Sequence, residues 1–352
     1  MTVPTQTPRG APERVSFSFH GVGVRVASDD PAVIDLTRHA FAWFERDVER
    51  PELEIEHRAE EPDYDALPEL VSSVATPRNI CFAGDGVTYI DYFGRALNVF
   101  DLRSNRCRIQ TEDPQLAREI VYLTILSRVS ERLDRRRIHR IHALGLERGG
   151  RGALVLLPSG GGKSTLALSV LRRSDNALRL ISEDSPLVRR DGWLLPFPVR
   201  LGVHPHRLPA DIDRRYTRRE ERMEFDSKVS IDVTLFADRL ADAPVAPGLI
   251  LLGRRTTGRD AEIVPVAKLR VSRHLLMNSI VGIGLYQGIE FILQRGLLDL
   301  VGHAATALSR SRNGFQLVRK SRVFEFRIGR DVERNYEVLT SFLDRELPPS
   351  LR

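Results

Sequence analysis

Ala153-Leu154-Val155-Leu156-Leu157-Pro158-Ser159-Gly160-Gly161-Gly162-Lys163-Ser164-Thr165 is the stretch on which the reading of this chain turns. Five apolar residues, enough for a buried strand, run into three consecutive glycines. An apolar helical pattern follows at Leu166, Leu168, Val170 and Leu171. Strand, glycine-rich loop and helix in that order are the context a phosphate-binding loop requires. Glycines let the backbone take positive φ and bring its N–H groups onto phosphate oxygens with no Cβ in the way. The helix start adds donors without intrahelical partners and a partial positive charge. Lys163 is a flexible point charge able to reach β- and γ-phosphates, and the Ser164 hydroxyl is placed for Mg²⁺. Residues Ser159, Gly160, Gly161, Gly162, Lys163, Ser164 and Thr165 are therefore expected to bind ATP with Mg²⁺. The usual pattern, G-x-x-x-x-G-K-[ST], has glycine five residues before Gly162, where this chain has Leu157. The first turn of the loop is expected to differ from the standard one, with the GGGKST core intact.

A phosphate loop needs a carboxylate at the end of a neighbouring strand to hold its metal. Leu178–Ile181 reads as such a strand, and Ser182-Glu183-Asp184-Ser185 follows it at once. One carboxylate can hold Mg²⁺ while the other accepts the proton of an attacking hydroxyl. The same residues would also suit a solvated turn. Their position, one helix and one strand after the loop, favours the functional reading. His142 lies in Ile141-His142-Ala143-Leu144-Gly145, on the strand expected before the loop, Arg140–Leu146. Taken alone, it fits a polar strand position as well as a site.

These elements together resemble the HPr kinase/phosphorylases and their relatives, with ATP-dependent phosphoenolpyruvate carboxykinase as a distant cousin. That family has a strand ending in His-Gly, a loop G-x-S-G-x-G-K-S and a strand ending in Asp-Asp. The matching stretches here are His142-Ala143, Ser159-Gly160-Gly161-Gly162-Lys163-Ser164 and Glu183-Asp184, with 21 residues from His142 to Lys163. Phe197-Pro198-Val199-Arg200-Leu201-Gly202-Val203 is similar to the family's E-I-R-G-L-G-I segment, with Pro198 for the Glu and Leu201 for the first Gly. The resemblance covers roughly residues 138–270. It implies that His142 lies near the transferred phosphate, that Glu183 is the general base and that Asp184 holds the metal; Arg200 matches the family's arginine. It also implies a ring-like homo-oligomer. HPr as substrate and phosphorolysis are not carried over, because the segment associated with them is degraded.

The fold class expected is mixed α/β (α+β): an HPr-kinase/carboxykinase-like nucleotide-binding core with an α+β N-terminal accessory domain. Residues 1–13 are polar and Pro-rich and are expected to be disordered. Residues 14–136 form the accessory domain, with a hairpin over Val15–Val26, a helix over Pro31–Phe44 and a strand at Leu53–Glu56. A loop with a short helix is expected over Arg58–Pro77. An antiparallel meander follows (Asn79–Ala83, Val87–Asp91, Ala96–Asp101, Arg106–Gln110), then a helix from Asp113-Pro114 to Arg135. Residues 137–330 form the nucleotide-binding domain. It includes a strand-rich tract at Pro186–Val203, strands at Gly248–Leu252 and Glu262–Val266, helices from Ser272 and a hairpin pairing Phe315–Val318 with Val323–Arg327. Residues 331–352 carry a terminal helix, Val332–Leu343, and a tail. Further basic candidates are Lys228, Arg254 and Arg255, each also readable as a solvated side chain.

Apolar residues make up 42% of the chain and charged residues 28%, an ordinary globular balance. The net charge is +6, but the arginines alternate with acids and no long basic block occurs, which disfavours nucleic acid as partner. Cys81 and Cys107 lack zinc-ligand spacing and read as reduced core residues of a cytoplasmic protein. The most apolar region, Leu275–Val301, carries Asn278, Gln287, Glu290, Gln294, Arg295 and Asp299 and reads as buried helix rather than membrane span. The start of the chain does not read as a signal peptide. The expected partners are thus a nucleotide and an acceptor that is a peptide, a small protein or a hydroxylated metabolite. A nucleotide-binding switch ATPase without acceptor is the alternative, and a carboxykinase-like decarboxylating enzyme a weaker third.

Overall fold

The computed structural model describes residues 11–158, 160–221, 227–277 and 297–348; for 276–277 and 297–304 only the backbone is considered. It is a mixed α/β structure with several sheets. Described residues within 1–129 and 204–230 form one compact unit, and those within 130–203, 231–287 and 297–352 form another. Cys81 and Cys107 are buried thiols. No helix among the described residues is long and apolar enough to cross a membrane. The expected disorder at the start of the chain falls, for residues 1–10, outside the described residues. So does most of the expected buried helix, over 278–296.

The first unit is built on an eight-stranded sheet. Its strands are β1 (Glu13–Phe19), β2 (Val22–Ser28), β3 (Leu53–Arg58), β4 (Ser72–Ala75), β5 (Ile80–Gly84), β6 (Val87–Asp91), β7 (Leu97–Asp101) and β8 (Arg106–Gln110), in the order β1-β2-β3-β8-β7-β6-β5-β4. The two central pairings, β2 with β3 and β3 with β8, are parallel. The alternation of β1 and β2 buries Val15, Phe17, Phe19, Val22, Val24 and Val26 on one face. Helix α1 (Pro31–Phe41) starts with Pro31 behind the cap Asp30, whose carboxylate accepts from Ala32 N–H. It adds Phe41 to an aromatic cluster with Phe17 and Phe19. Helix α2 (Pro114–Arg135), which belongs to the second unit from Ser130 on, opens the same way, with Asp113 accepting from the amides of Gln115 and Leu116. The meander over 79–110 forms as expected. Between 58 and 77, however, the chain makes strand β4 where a loop with a short helix was expected. Ser72-Ser73-Val74-Ala75 sits at the sheet edge, mostly exposed, so its burial carries no period to read.

The second unit holds a six-stranded sheet, order β12-β10-β11-β18-β20-β19. Its early strands are β9 (His139–Arg140), β10 (Leu144–Arg148) and β11 (Arg151–Leu156), followed by helix α3 (Lys163–Arg172) and β12 (Arg179–Ser182). The expected single strand Arg140–Leu146 is thus split. Residues 139–140 turn away to pair with β13 (Leu187–Val188), itself paired with β14 (Leu194–Leu195). Strand β15 (Leu201–Val203) follows; β16 (Thr217–Glu220) and β17 (Lys228–Ile231), up to Ser230, belong to the first unit, and the chain resumes the second from Ile231, with β18 (Ala246–Arg255), β19 (Glu262–Pro265) and helix α4 (Lys268–Met277). Helix α5 (Leu297–Lys320), β20 (Arg322–Ile328) and helix α6 (Val332–Glu346) complete the unit. Strands β11, β18 and β20 are parallel, so their carboxyl ends share one edge. The expected hairpin of Phe315–Val318 with Val323–Arg327 is not formed. Phe315–Val318 belongs to α5, where Leu317 and Val318 are buried against Val271, Leu275, Ile250 and Leu252 while Phe315 is exposed. A four-residue apolar run does not distinguish a strand from one turn of helix.

Candidate functional site

The glycine segment connects the carboxyl end of β11 to α3. Gly160 and Gly162 have φ of +72° and +104°, conformations that favour glycine. Gly161 donates its N–H to the Pro158 carbonyl at 3.0 Å. A Cβ there would stand 2.8 Å from that same oxygen, so the tight turn also needs the middle glycine. Gly162 is the N-cap of α3 and offers no side chain to its first amides. A helix start carries N–H donors and a partial positive charge, the features of an anion-binding turn. Ser159 lies outside the described residues. Leu157, at the place of the usual glycine, is buried, and its side chain occupies the space above Gly253 of β18: a Cβ on Gly253 would lie 2.3 Å from Leu157 Cδ2.

Strands β10 and β12 bring the acidic turn back to the loop. They pair antiparallel, Gly145 opposite Ser182 and Leu146 opposite Leu180, with a bulge between. Beyond the sheet the two chains stay side by side, Ala143 N–H on the Asp184 carbonyl (3.3 Å) and Ile141 N–H on that of Pro186 (2.9 Å). His142 and Asp184 therefore face each other.

Lys163, only 5% exposed, donates from Nζ to the carbonyls of Leu157 (2.9 Å) and Pro158 (3.2 Å) and to His142 Nε2 (2.9 Å). It also lies 3.4 Å from Asp184 Oδ1. A ring nitrogen facing an ammonium must present its lone pair, so the His142 proton sits on Nδ1 and points to Asp184 Oδ1, 3.2 Å away. Burial alone would raise the Asp184 pKa. The hydrogen bond and field of His142, with the charges of Lys163 and Arg140, outweigh it and hold the carboxyl below its ordinary value. One residue along each chain, Ser164 Oγ donates to Glu183 Oε1 at 2.5 Å. Thr165 follows in the first turn of α3.

The structure thus brings together His142, Lys163, Ser164, Glu183 and Asp184 around Gly160–Gly162. Arg200 is half-buried at the entry to β15, which runs beside α3. Lys228 lies on β17, in the first unit. Arg254 is 3.7 Å from the buried carboxylate of Glu325, and Arg255 is exposed at the end of β18. Sequence reasoning missed Arg140, a buried arginine that donates to Ser185 Oγ (2.8 Å) and Ser130 Oγ (3.0 Å). Its only signal is a place two residues before His142. The Leu157–Gly253 contact was missed as well, because it joins residues nearly a hundred positions apart.

No group of three or more His, Cys, Asp or Glu suited to a metal ion occurs among the described residues. No protein-family model and no curated protein matches this chain.

Proposed function

We propose that this chain is an ATP-dependent phosphotransferase, HPr-kinase-like in its core, that moves the γ-phosphate of ATP to a hydroxyl group. The observation that carries the reading is the meeting of Lys163, His142 and Asp184, beside the Ser164–Glu183 pair, at a glycine turn that opens a helix. An anion-binding turn, a buried lysine and two carboxylates with separate partners are what phosphoryl transfer needs in order to position phosphate and balance its charge.

Mg²⁺ fits this chain through Ser164 and Glu183. A hydroxyl and a carboxylate oxygen already in contact offer two hard oxygen ligands, the small protein share that a Mg·nucleotide site uses. Bound there, the ion would neutralise charge on the phosphate oxygens. The loop amides and Lys163 hold the phosphates. Asp184, kept ionised by its neighbours, accepts the proton of the acceptor hydroxyl as the new P–O bond forms and the bond to the ADP oxygen breaks. His142 fixes the Asp184 carboxylate through Nδ1–H. This division exchanges the roles that the family resemblance implied for Glu183 and Asp184, because it is Glu183 that touches Ser164 and Asp184 that touches His142 and Lys163.

The acceptor class proposed is a serine of a peptide or small protein, or a hydroxylated metabolite. The test is incubation with γ-labelled ATP and Mg²⁺, with and without pools of serine-containing peptides and small hydroxylated compounds. Label on an acceptor, with ATP consumption rising in its presence, is the expected result. ATP consumption indifferent to every acceptor would instead favour a hydrolytic switch.

A further inference from the structure

Beyond its charge near Asp184, Arg140 has no role in the chemistry described so far, yet it is 8% exposed and its guanidinium donates to two hydroxyls. One belongs to Ser130 near the end of α2, the other to Ser185, the residue after Asp184. The backbone of Arg140 pairs with Leu187, so strand β9 and the guanidinium hold the chain on both sides of Pro186. Ser185 is itself 4% exposed, and its amide donates to Ser182 Oγ at 3.0 Å. The turn Ser182–Ser185 is thus closed on itself by Ser182 and tied outward by Arg140. Both carboxylates ride on this turn. The two charge-assisted hydrogen bonds from Nη1 and Nη2 offset part of the cost of burying the arginine, and the ring of Phe197 stands 5.9 Å from its charge.

We propose that Arg140 is a positioning residue of this site: through Ser185 it fixes the 182–185 turn so that Glu183 stays on Ser164 while Asp184 stays on His142. The inference rests on the phosphotransferase reading and adds to it a residue that touches neither nucleotide nor acceptor. Loss of the guanidinium lets the turn shift by the fraction of an ångström that separates a metal-ready oxygen pair from a solvated one. Supports of this kind characteristically change metal affinity or activity by about 10–100-fold. The glycine turn and α3 do not depend on Arg140, so nucleotide binding without metal is unaffected by its removal.

The test compares wild type, Arg140→Met, Arg140→Lys and Ser185→Ala by calorimetric titration with ADP and with a slowly hydrolysed ATP analogue, each with and without Mg²⁺. Expected for Arg140→Met is affinity within about threefold of wild type in EDTA, with the gain conferred by Mg²⁺ reduced about tenfold or more. Arg140→Lys recovers part of that gain. Ser185→Ala lies between, and the double variant Arg140→Met/Ser185→Ala is no worse than Arg140→Met. If Arg140→Met does not fold, Arg140→Lys and Ser185→Ala carry the comparison. An Mg²⁺ gain in Arg140→Met or Ser185→Ala equal to that of wild type overturns the inference while leaving the phosphotransferase reading intact. Absence of any nucleotide binding by wild type overturns that reading, and the inference with it.

Discussion

Glu183 and Asp184 are neighbours in the chain whose side chains go to different partners, one to Ser164 and the other to His142 and Lys163. The two substitutions should therefore separate cleanly. Asp184→Asn keeps the shape but loses the base, and transfer should fall by about 10²–10⁴-fold with nucleotide affinity nearly unchanged. Glu183→Gln should instead raise the Mg²⁺ concentration needed for half-maximal transfer, because a charged ligand to a hard cation is lost. Titrating activity against Mg²⁺ on both proteins checks this, and the reverse pattern would restore the division implied by the family resemblance. The sequence identifies these residues because each sits in a motif: the glycine run, the Glu-Asp pair after a strand, the histidine before the loop. It does not say which carboxylate faces which partner. That depends on the register of β10 against β12 and the bulge at Gly145, and no local pattern encodes either.

Among the elements, β11 and β18 carry the loop between them, and Leu157 against Gly253 is the contact that seats it. Gly253→Ala would drive a methyl into Leu157. Overpacking of this kind costs about 1–3 kcal/mol, which urea unfolding would register, and it should weaken nucleotide binding by displacing the loop's first residue. Unchanged stability would mean that Leu157 moves aside freely. The far end of α3 is held by Arg239, whose guanidinium donates to the carbonyls of Val170, Arg173 and Leu178 and to the Asn176 side chain. Strand, loop and helix over 151–172 were legible in the sequence, since an apolar run, a glycine run and a helical period follow one another without ambiguity. The C-terminal part was less so. Phe315–Val318 reads as strand in isolation and becomes helix because Leu317 and Val318 reach one side of the sheet from α5. β4 was invisible because an exposed edge strand has no buried face to leave a pattern.

Across the molecule, pH acts on stability through His57 of the first unit. Its Nδ1 lies 2.8 Å from Ser28 Oγ and its Nε2 donates to the Thr111 carbonyl at 3.0 Å. Burial lowers its pKa from the ordinary 6.5 and prevails over the hydrogen bond to Thr111 and the nearby charges of Asp29, Asp30 and Glu60. The unfolded chain then binds the proton more readily than the folded one. The stability contributed by the neutral ring is full above about pH 6.5 and is lost as pH falls below that value. Urea midpoints at pH 7.5 and 5.5 should show the drop, and His57→Gln should reduce it. A slope identical in the variant would assign the effect elsewhere. At the same scale stands the central claim, that the second unit binds a nucleotide through the glycine turn and Lys163. Lys163 is almost completely buried, with the carbonyls of Leu157 and Pro158 and the His142 ring on its ammonium. The direct measurement is calorimetric titration of Mg·ATP into wild type and Lys163→Met, both first shown to be folded by circular dichroism. Saturable binding at one site in wild type, weakened at least tenfold in Lys163→Met, is the predicted result. Absence of binding in wild type, or equal affinity in the two proteins, would contradict it.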